Sequence, residues 1–373
     1  MATTTTTTDD SALPDGLRAR LAELFPGARI ERVIALGHDA GADGGESTKA
    51  AGYGRPLRVR LALPDGGVRE VVFHTARPDD FGHDRRSDRA QAMLLAWDTF
   101  ARIPRHVPAI DVGAIRERDG ALVPLAGTGE LYLLTDYSEG TLYADDLRHV
   151  AERGAAGDLD LARAETLARL LAEIHAAPGS HPAAYTRAIR DLLGHGEGIF
   201  GLVDSYPADV AGVDQTRLRR IEEACLAWRW RLRGRSERLR RTHGDFHPFN
   251  IVFGDGTEVA LLDASRGCEG DPADDVACLS INYLFFGMEH RATWATGLGR
   301  LWGRFWETYL AASGDADVLA AVAPYFAWRG LVLASPVWYP HLWAADRARI
   351  LDFVERVLEA ERFDPAWGPE AMQ

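Results

Sequence analysis

Thr242-His243-Gly244-Asp245-Phe246-His247-Pro248-Phe249-Asn250 concentrates most of the reactive side chains in this chain. Asp245 and Asn250 stand five residues apart, and Asp263 follows thirteen residues later. Between the last two, residues 251–253 and 259–262 read as short strands joined by Gly254-Asp255-Gly256. A hairpin returns its second strand beside its first, so it carries Asp263 towards Asn250. That gathers hard oxygen donors without sulfur or paired histidines. Such a set suits Mg²⁺, which takes one or two protein ligands and shares the rest of its shell with water and phosphate. A further carboxylate near the ion can accept a proton from an attacking hydroxyl. His243 and His247 read as hydrogen-bonded scaffold residues of the same loop rather than reacting groups.

These residues need a frame, and at 373 residues the chain is long enough for two lobes. Residues 1–14 form a threonine-rich tail with a disordered composition. Residues 15–25 carry Leu17, Leu21 and Leu24 at helical spacing. Strands are expected at 30–36, 57–63 and 68–76, the last two joined by a turn at Asp65-Gly66-Gly67. A glycine-rich loop, 37–54, separates the first two. Residues 85–103 predict a helix with Ala90, Met93, Leu94, Trp97 and Phe100 on one face. A strand at 131–137 and a connector at 138–140 follow. Beyond them the pattern is mostly helical, from an amphipathic stretch at 160–176 to helices filling 274–361. The fold class is therefore α+β: a small antiparallel-sheet lobe with one helix at 15–137, then a larger helical lobe at 138–373.

Composition narrows the function. Hydrophobic residues at 46% and charged residues at 26% are ordinary for a soluble globular protein. A net charge of −13 argues against general nucleic-acid binding, which needs a clustered positive field. The three cysteines, Cys225, Cys268 and Cys278, form no C-x-x-C pair, which fits a reducing cytoplasm rather than a disulfide framework. No signal peptide is legible at the N-terminus, and the longest apolar stretch, residues 318–328, is too short to span a membrane. Nine of the ten tryptophans lie at or after Trp228 and are expected mainly to pack the helical core. The seven arginines between Arg229 and Arg241 are expected to form a solvated face, an anionic substrate group being the alternative.

The run His243-Gly244-Asp245-x-x-x-x-Asn250 with Asp263 resembles the catalytic segment of the aminoglycoside phosphotransferase and choline kinase-like family, which shares the protein-kinase fold. Strand-rich lobe, connector, helical lobe and catalytic loop also come in that family's order. The resemblance implies an ATP- or GTP- and Mg²⁺-dependent kinase acting on a small-molecule hydroxyl. Asp245 would be the catalytic base, and Asn250 and Asp263 the metal ligands. Backbone groups near Thr135 and Tyr137 would bind the adenine. Asp275, in Asp271-Pro272-x-Asp274-Asp275, matches an aspartate that braces the catalytic loop, with His243 as structural support. The same acidic run also reads as a helix N-terminus with Asp271 as cap and Pro272 at the first position.

The chain departs from that family on the third strand. The family places a phosphate-gripping lysine there and pairs it with a glutamate on the following helix. Here His74 stands in the lysine place, and Asp88 is the favoured acidic counterpart. Lys49, the only lysine among 42 Lys and Arg, lies in the glycine-rich loop. Glycine backbone comes close to phosphate, and a flexible ammonium there can serve as a point charge. Lys49 as the replacement, His74 as a phosphate donor, and an inactive nucleotide-binding pseudokinase all follow from these residues. Nucleotidyl transfer to protein is a further reading. After Asp263 the run Ala264-Ser265-Arg266-Gly267 lacks the family's frequent second acidic residue. The acidic balance favours a cationic acceptor.

Overall fold

The structure is a computed structural model and describes residues 13–35, 56–79, 82–264 and 266–372. The threonine-rich tail up to residue 12 and the glycine-rich loop with Lys49 lie outside the described residues. The chain divides between Leu134 and Thr135 into two compact units.

The first unit is built on three antiparallel strands, β1 (Arg29–Ala35), β2 (Leu57–Ala62) and β3 (Val68–Phe73), in the order β1-β2-β3. Side chains alternate across a strand. Val59 and Leu61 therefore turn into a core with Val33 and Val71, while Arg58 and Arg60 face outwards. Val33 pairs with Val59 and Val59 with Val71, so the valines form one row across the sheet. Helix α1 (Asp15–Leu24) adds Leu17 and Leu21 to that core. The β2–β3 turn closes at Gly66, whose φ of +83° suits a residue without Cβ, and Oδ1 of Asp65 accepts the Gly67 N–H.

Helix α2 (Arg86–Thr99) forms, but none of its residues is buried. Met93, Leu94 and Trp97 are half-buried, and Ala90 and Phe100 are exposed. Apolar periodicity states which side of a helix would face a partner; it does not supply the partner. Two short strands, β4 (Gly113–Ile115) and β5 (Leu122–Pro124), pair with each other. The expected strand at 131–137 does not form, and Tyr132, Leu133, Leu134 and Tyr137 are exposed. An apolar run makes a strand only where a neighbour completes the ladder, and among the described residues no ladder reaches this segment.

The second unit opens with β6 (Thr141–Leu142) and α3 (Tyr143–Arg153), then α4 (Asp158–Ala176), α5 (Pro182–Gly194), α6 (Ile199–Asp204) and α7 (Gln215–Leu232). Four short strands follow: β7 (Arg240–Arg241), β8 (Ile251–Phe253), β9 (Val259–Leu261) and β10 (Glu269–Gly270). The unit ends with α8 (Ala273–Gly287), α9 (Leu298–Ser313), α10 (Ala323–Ala334), α11 (Ala344–Glu359) and α12 (Trp367–Ala371). Helix α4 lies along α9, and α10 along both α11 and α8. A Cβ at Gly330 would collide with Val354, so this glycine is what lets α10 close onto α11. Trp228, Trp294, Trp302, Trp306 and Trp328 are buried in this core, as expected, whereas Trp230, Trp338 and Trp343 stay exposed.

The arginine run before β7 departs from a wholly solvated face. Arg238 is buried, clamps Asp271 through Nε (2.8 Å) and Nη2 (2.7 Å), and reaches Asp315 at 3.0 Å. Tyr185 donates its hydroxyl to the same Asp271, and Oδ1 of Asp271 caps α8 at the Ala273 N–H. Capping and charge pairing thus share one carboxylate.

Candidate active site

The loop is held by its own flanks. Strand β7 pairs antiparallel with β10, and the Thr242 N–H donates to the Cys268 carbonyl at 3.1 Å. Between these flanks the chain runs out through residues 243–250, along β8, and back along β9. Strands β6, β8 and β9 form one sheet, and β8 is buried throughout because Ile251, Val252 and Phe253 are all apolar. The turn at Gly244 has a φ of +81°. A side chain there would be strained, and its Cβ would press on the Gly267 carbonyl at 3.2 Å.

The hairpin register puts Ile251 opposite Leu261, and the Leu262 N–H donates to the Asn250 carbonyl at 2.9 Å. Asp263 therefore emerges beside the end of the loop. Its φ of +52° is a left-handed conformation that Asp tolerates better than most residues. Nδ2 of Asn250 donates to the Asp245 carbonyl at 3.1 Å, which leaves the amide oxygen as its remaining donor atom for an ion. The Asp263 side chain is exposed, and among the described residues nothing hydrogen-bonds or pairs with it. One amide oxygen and one unengaged carboxylate fit Mg²⁺, which keeps most of its shell for phosphate and water. No cluster of three His, Cys, Asp or Glu side chains able to hold a metal occurs among the described residues.

Asp245 is buried and hydrogen-bonded on one side. Its Oδ1 accepts from Nη1 of Arg329 at 2.8 Å and from Nη1 of Arg266 at 3.0 Å. Its Oδ2 lies 3.6 Å from Nε2 of His247. Burial lowers the His247 pKa below the usual histidine value against the pull of Asp245, and both arginines lower it further. Nδ1 of His247 accepts the Phe249 N–H, and Nδ1 of His243 accepts the Asp245 N–H at 3.3 Å. Both rings are thus engaged with loop backbone.

Asp275 is fully buried at the start of α8. Its Oδ2 accepts the His243 N–H at 2.7 Å and its Oδ1 the Gly244 N–H at 2.8 Å. Nε2 of His175 lies 3.1 Å from Oδ2, and Nδ1 of His175 lies 2.9 Å from the Tyr309 hydroxyl. A carboxylate only accepts, so Nε2–H of His175 donates to it. Burial alone would raise the Asp275 pKa; His175 and the two backbone N–H groups outweigh it and hold it below the ordinary aspartate value. For neighbouring Asp274 burial wins and the pKa is raised, although Nη2 of Arg329 pairs with it at 2.6 Å.

The profile of the phosphotransferase enzyme family (APH) matches residues 67–314, well over half of the chain. The chain belongs to this family. Its mixed architecture of small antiparallel sheets and many helices is the one the family implies. Solved structures are similar at lower identity. A glucosamine kinase aligns at 21% identity over 58% of this chain and 59% of that one, with a TM-score of 0.42. A glucosamine kinase in complex with glucosamine, ADP and inorganic phosphate aligns at 17% over 91% and 97%, with a TM-score of 0.37. A choline kinase from Streptococcus pneumoniae aligns at 12% over 92% and 97%, with a TM-score of 0.34. No curated protein sequence matches this one.

The structure brings Asp245, Asn250, Asp263, His243 and Asp275 together around one loop. Of the other sequence candidates, His74 and Asp88 belong to the first unit, and Lys49 lies outside the described residues. His74 is exposed, one residue beyond the last paired residue of β3. Oδ2 of Asp88 accepts the Arg85 N–H at 2.8 Å and so caps α2. Thr135 and Tyr137 are exposed at the start of the second unit. Sequence reasoning missed Arg329, His175 and Tyr309. Arg329 left one signal: a charge embedded in the apolar run of α10 has to find a buried partner. His175 and Tyr309 left none, because their partner is 100 residues away for the histidine and the pair itself spans 134. Among the described residues no helix is long and apolar enough to cross a membrane.

Proposed function

We propose that this protein is an ATP- and Mg²⁺-dependent phosphotransferase that phosphorylates a hydroxyl of a small molecule. The observation that carries this reading is the single loop-and-hairpin unit holding Asp245, Asn250 and Asp263 at one end of the β8–β9 hairpin. Asp245 is the group that orients the acceptor hydroxyl and takes its proton. Asn250 and Asp263 are the residues that would hold Mg²⁺, which supplies charge neutralisation for the nucleotide phosphates. Asp275 and His243 hold the loop in shape. Backbone groups at Thr135 and Tyr137 contact the adenine, and Lys49 supplies the phosphate-binding charge.

The acceptor class is a small amine-bearing alcohol. The net charge of −13 favours capture of a cation, and the similar proteins include kinases of glucosamine and choline. The test is ADP release from ATP with glucosamine, choline, ethanolamine and an aminoglycoside in turn, with and without Mg²⁺. Asp245→Asn should lower turnover by about 100-fold or more while leaving ATP affinity within about 2-fold. Turnover by Asp245→Asn equal to wild type would remove Asp245 from the reaction. Lys49→Ala should weaken ATP binding relative to Arg29→Ala, a control whose side chain is 81% exposed.

A second reading, nucleotide binding without turnover, is favoured by one observation. In the place of the family lysine stands His74, exposed just past the end of β3. ATP affinity without ADP release on any acceptor would establish it.

A further inference from the structure

Arg329 is a charge in an unusual place. It sits in α10, next to Gly330, and its side chain retains only 7% of its exposure. Nη1 donates to Oδ1 of Asp245 at 2.8 Å. Nη2 donates to the Gly244 carbonyl at 2.9 Å and to Oδ1 of Asp274 at 2.6 Å. The guanidinium carbon lies 3.8 Å from the centroid of the Trp328 ring, close enough for a cation–π contact. Of the three Arg329 nitrogens, Nε alone finds no partner among the described residues.

The acceptors are not equivalent. Gly244 and Asp245 belong to the loop that carries the chemistry, and Asp274 opens α8 next to Asp275, which holds the other side of that loop. The hold on the Gly244 carbonyl keeps the backbone turn at its φ of +81°. The hold on Oδ1 stops the Asp245 carboxylate rotating about its Cβ–Cγ bond. With Oδ1 taken by Arg329 and Arg266, Oδ2, which has Nε2 of His247 3.6 Å away beyond hydrogen-bond distance, is the oxygen left for a substrate. A planar fork can reach three acceptors at once, whereas an ammonium on a flexible stem cannot hold the same directions.

We propose that Arg329 is a positioning residue for phosphoryl transfer, fixing the Asp245 carboxylate so that Oδ2 receives the acceptor's proton. The inference rests on the kinase reading above. In that reaction the acceptor O–H proton passes to Oδ2 as the acceptor oxygen bonds to the γ-phosphorus. The bond from that phosphorus to the bridging oxygen breaks, and that oxygen leaves with the electron pair as part of ADP. Arg329 keeps its own proton throughout.

A buried arginine could also serve only to tie α10 to the loop, so the test has to separate orientation from folding. Wild type, Arg329→Lys, Arg329→Ala and Arg29→Ala are compared with Mg·ATP and whichever of glucosamine, choline, ethanolamine or an aminoglycoside supports ADP release. Arg329→Lys keeps the charge and should lower kcat about 100-fold, the scale of a misplacement of about 1 Å. Its acceptor KM and ATP affinity should stay within about 3-fold of wild type, since binding groups are untouched. Arg29→Ala should match wild type. Added guanidinium should restore part of the activity of a folded Arg329→Ala but none to Asp245→Asn. Wild-type kcat in Arg329→Lys, or a change confined to KM, overturns the proposal. If wild type binds ATP but phosphorylates none of these acceptors, the kinase reading fails on its own. The placement is then judged from crystal structures: a turned Asp245 carboxylate in Arg329→Lys supports it, and an unmoved one overturns it.

Discussion

The sheet of the first unit and the core of the second treat charge in different ways. In the first, Arg58 pairs with Glu70 and Arg60 with Glu31 across the open face of the sheet, with all four side chains at least one-third exposed. Its core is a small apolar set running from Leu13 to Val71. In the second, Asp275, Asp271, Arg238 and Arg329 are buried in the core: Asp275 accepts from loop backbone, Arg238 clamps Asp271, and Arg329 pairs with Asp245 and Asp274. Exposed pairs contribute little to stability and tolerate loose geometry. Buried ones lose heavily when a partner is missing, so they admit one arrangement. The candidate catalytic loop is in the second unit, tied to such buried pairs.

The largest blow to that contrast should come from Asp275→Asn. One amide oxygen cannot replace two carboxylate oxygens, and its NH₂ would meet a backbone N–H. Denaturant unfolding should show a loss of about 3–5 kcal/mol, the scale for a broken buried pair. A loss below about 1 kcal/mol would put Asp275 in the same class as the surface charges. The same residue sets an acid limit. Its folded pKa lies below its unfolded value, so its stabilisation is complete above the ordinary aspartate pKa of about 3.9 and drains away as pH falls through the folded value. Melting curves should therefore fall below about pH 4 in wild type and flatten there in Asp275→Asn. Asp274 has the opposite sign: its raised folded pKa costs stability as pH climbs through that value. Asp274→Asn should leave the acid limb in place.

The smallest effect belongs to the first unit. Arg58→Ala removes the hydrogen bond that most lowers the Glu70 pKa, yet the pair is open to solvent. The melting temperature should not move measurably, and high salt should change it no more than it changes wild type. A shift comparable to that of Asp275→Asn would erase the distinction between the two units.

Much of this was legible from residue order. The Asp65-Gly66-Gly67 turn, the β8–β9 hairpin and the candidate loop are local features, each written in a few neighbouring residues. Family membership follows from the same loop together with the order of elements around it. Less legible were the features that depend on a distant neighbour. Among the described residues, the run at 131–137 has strand-like residues without a ladder to join, and the apolar face of α2 is at most half-buried. His74 reads as a strand residue in sequence but stands exposed past the end of β3.

The sequence by itself determined which groups are available: one aspartate, one asparagine and a second aspartate at spacings that a hairpin closes into a site. Only the tertiary structure decided how they are held. Arg329 reaches Asp245 from 84 residues away and His175 reaches Asp275 across 100. Hydrophobic periodicity reports that a helix has an inner face, but burial is non-directional and does not say which polar group will meet which. That choice is made when the helices pack and every buried charge has to find its partner.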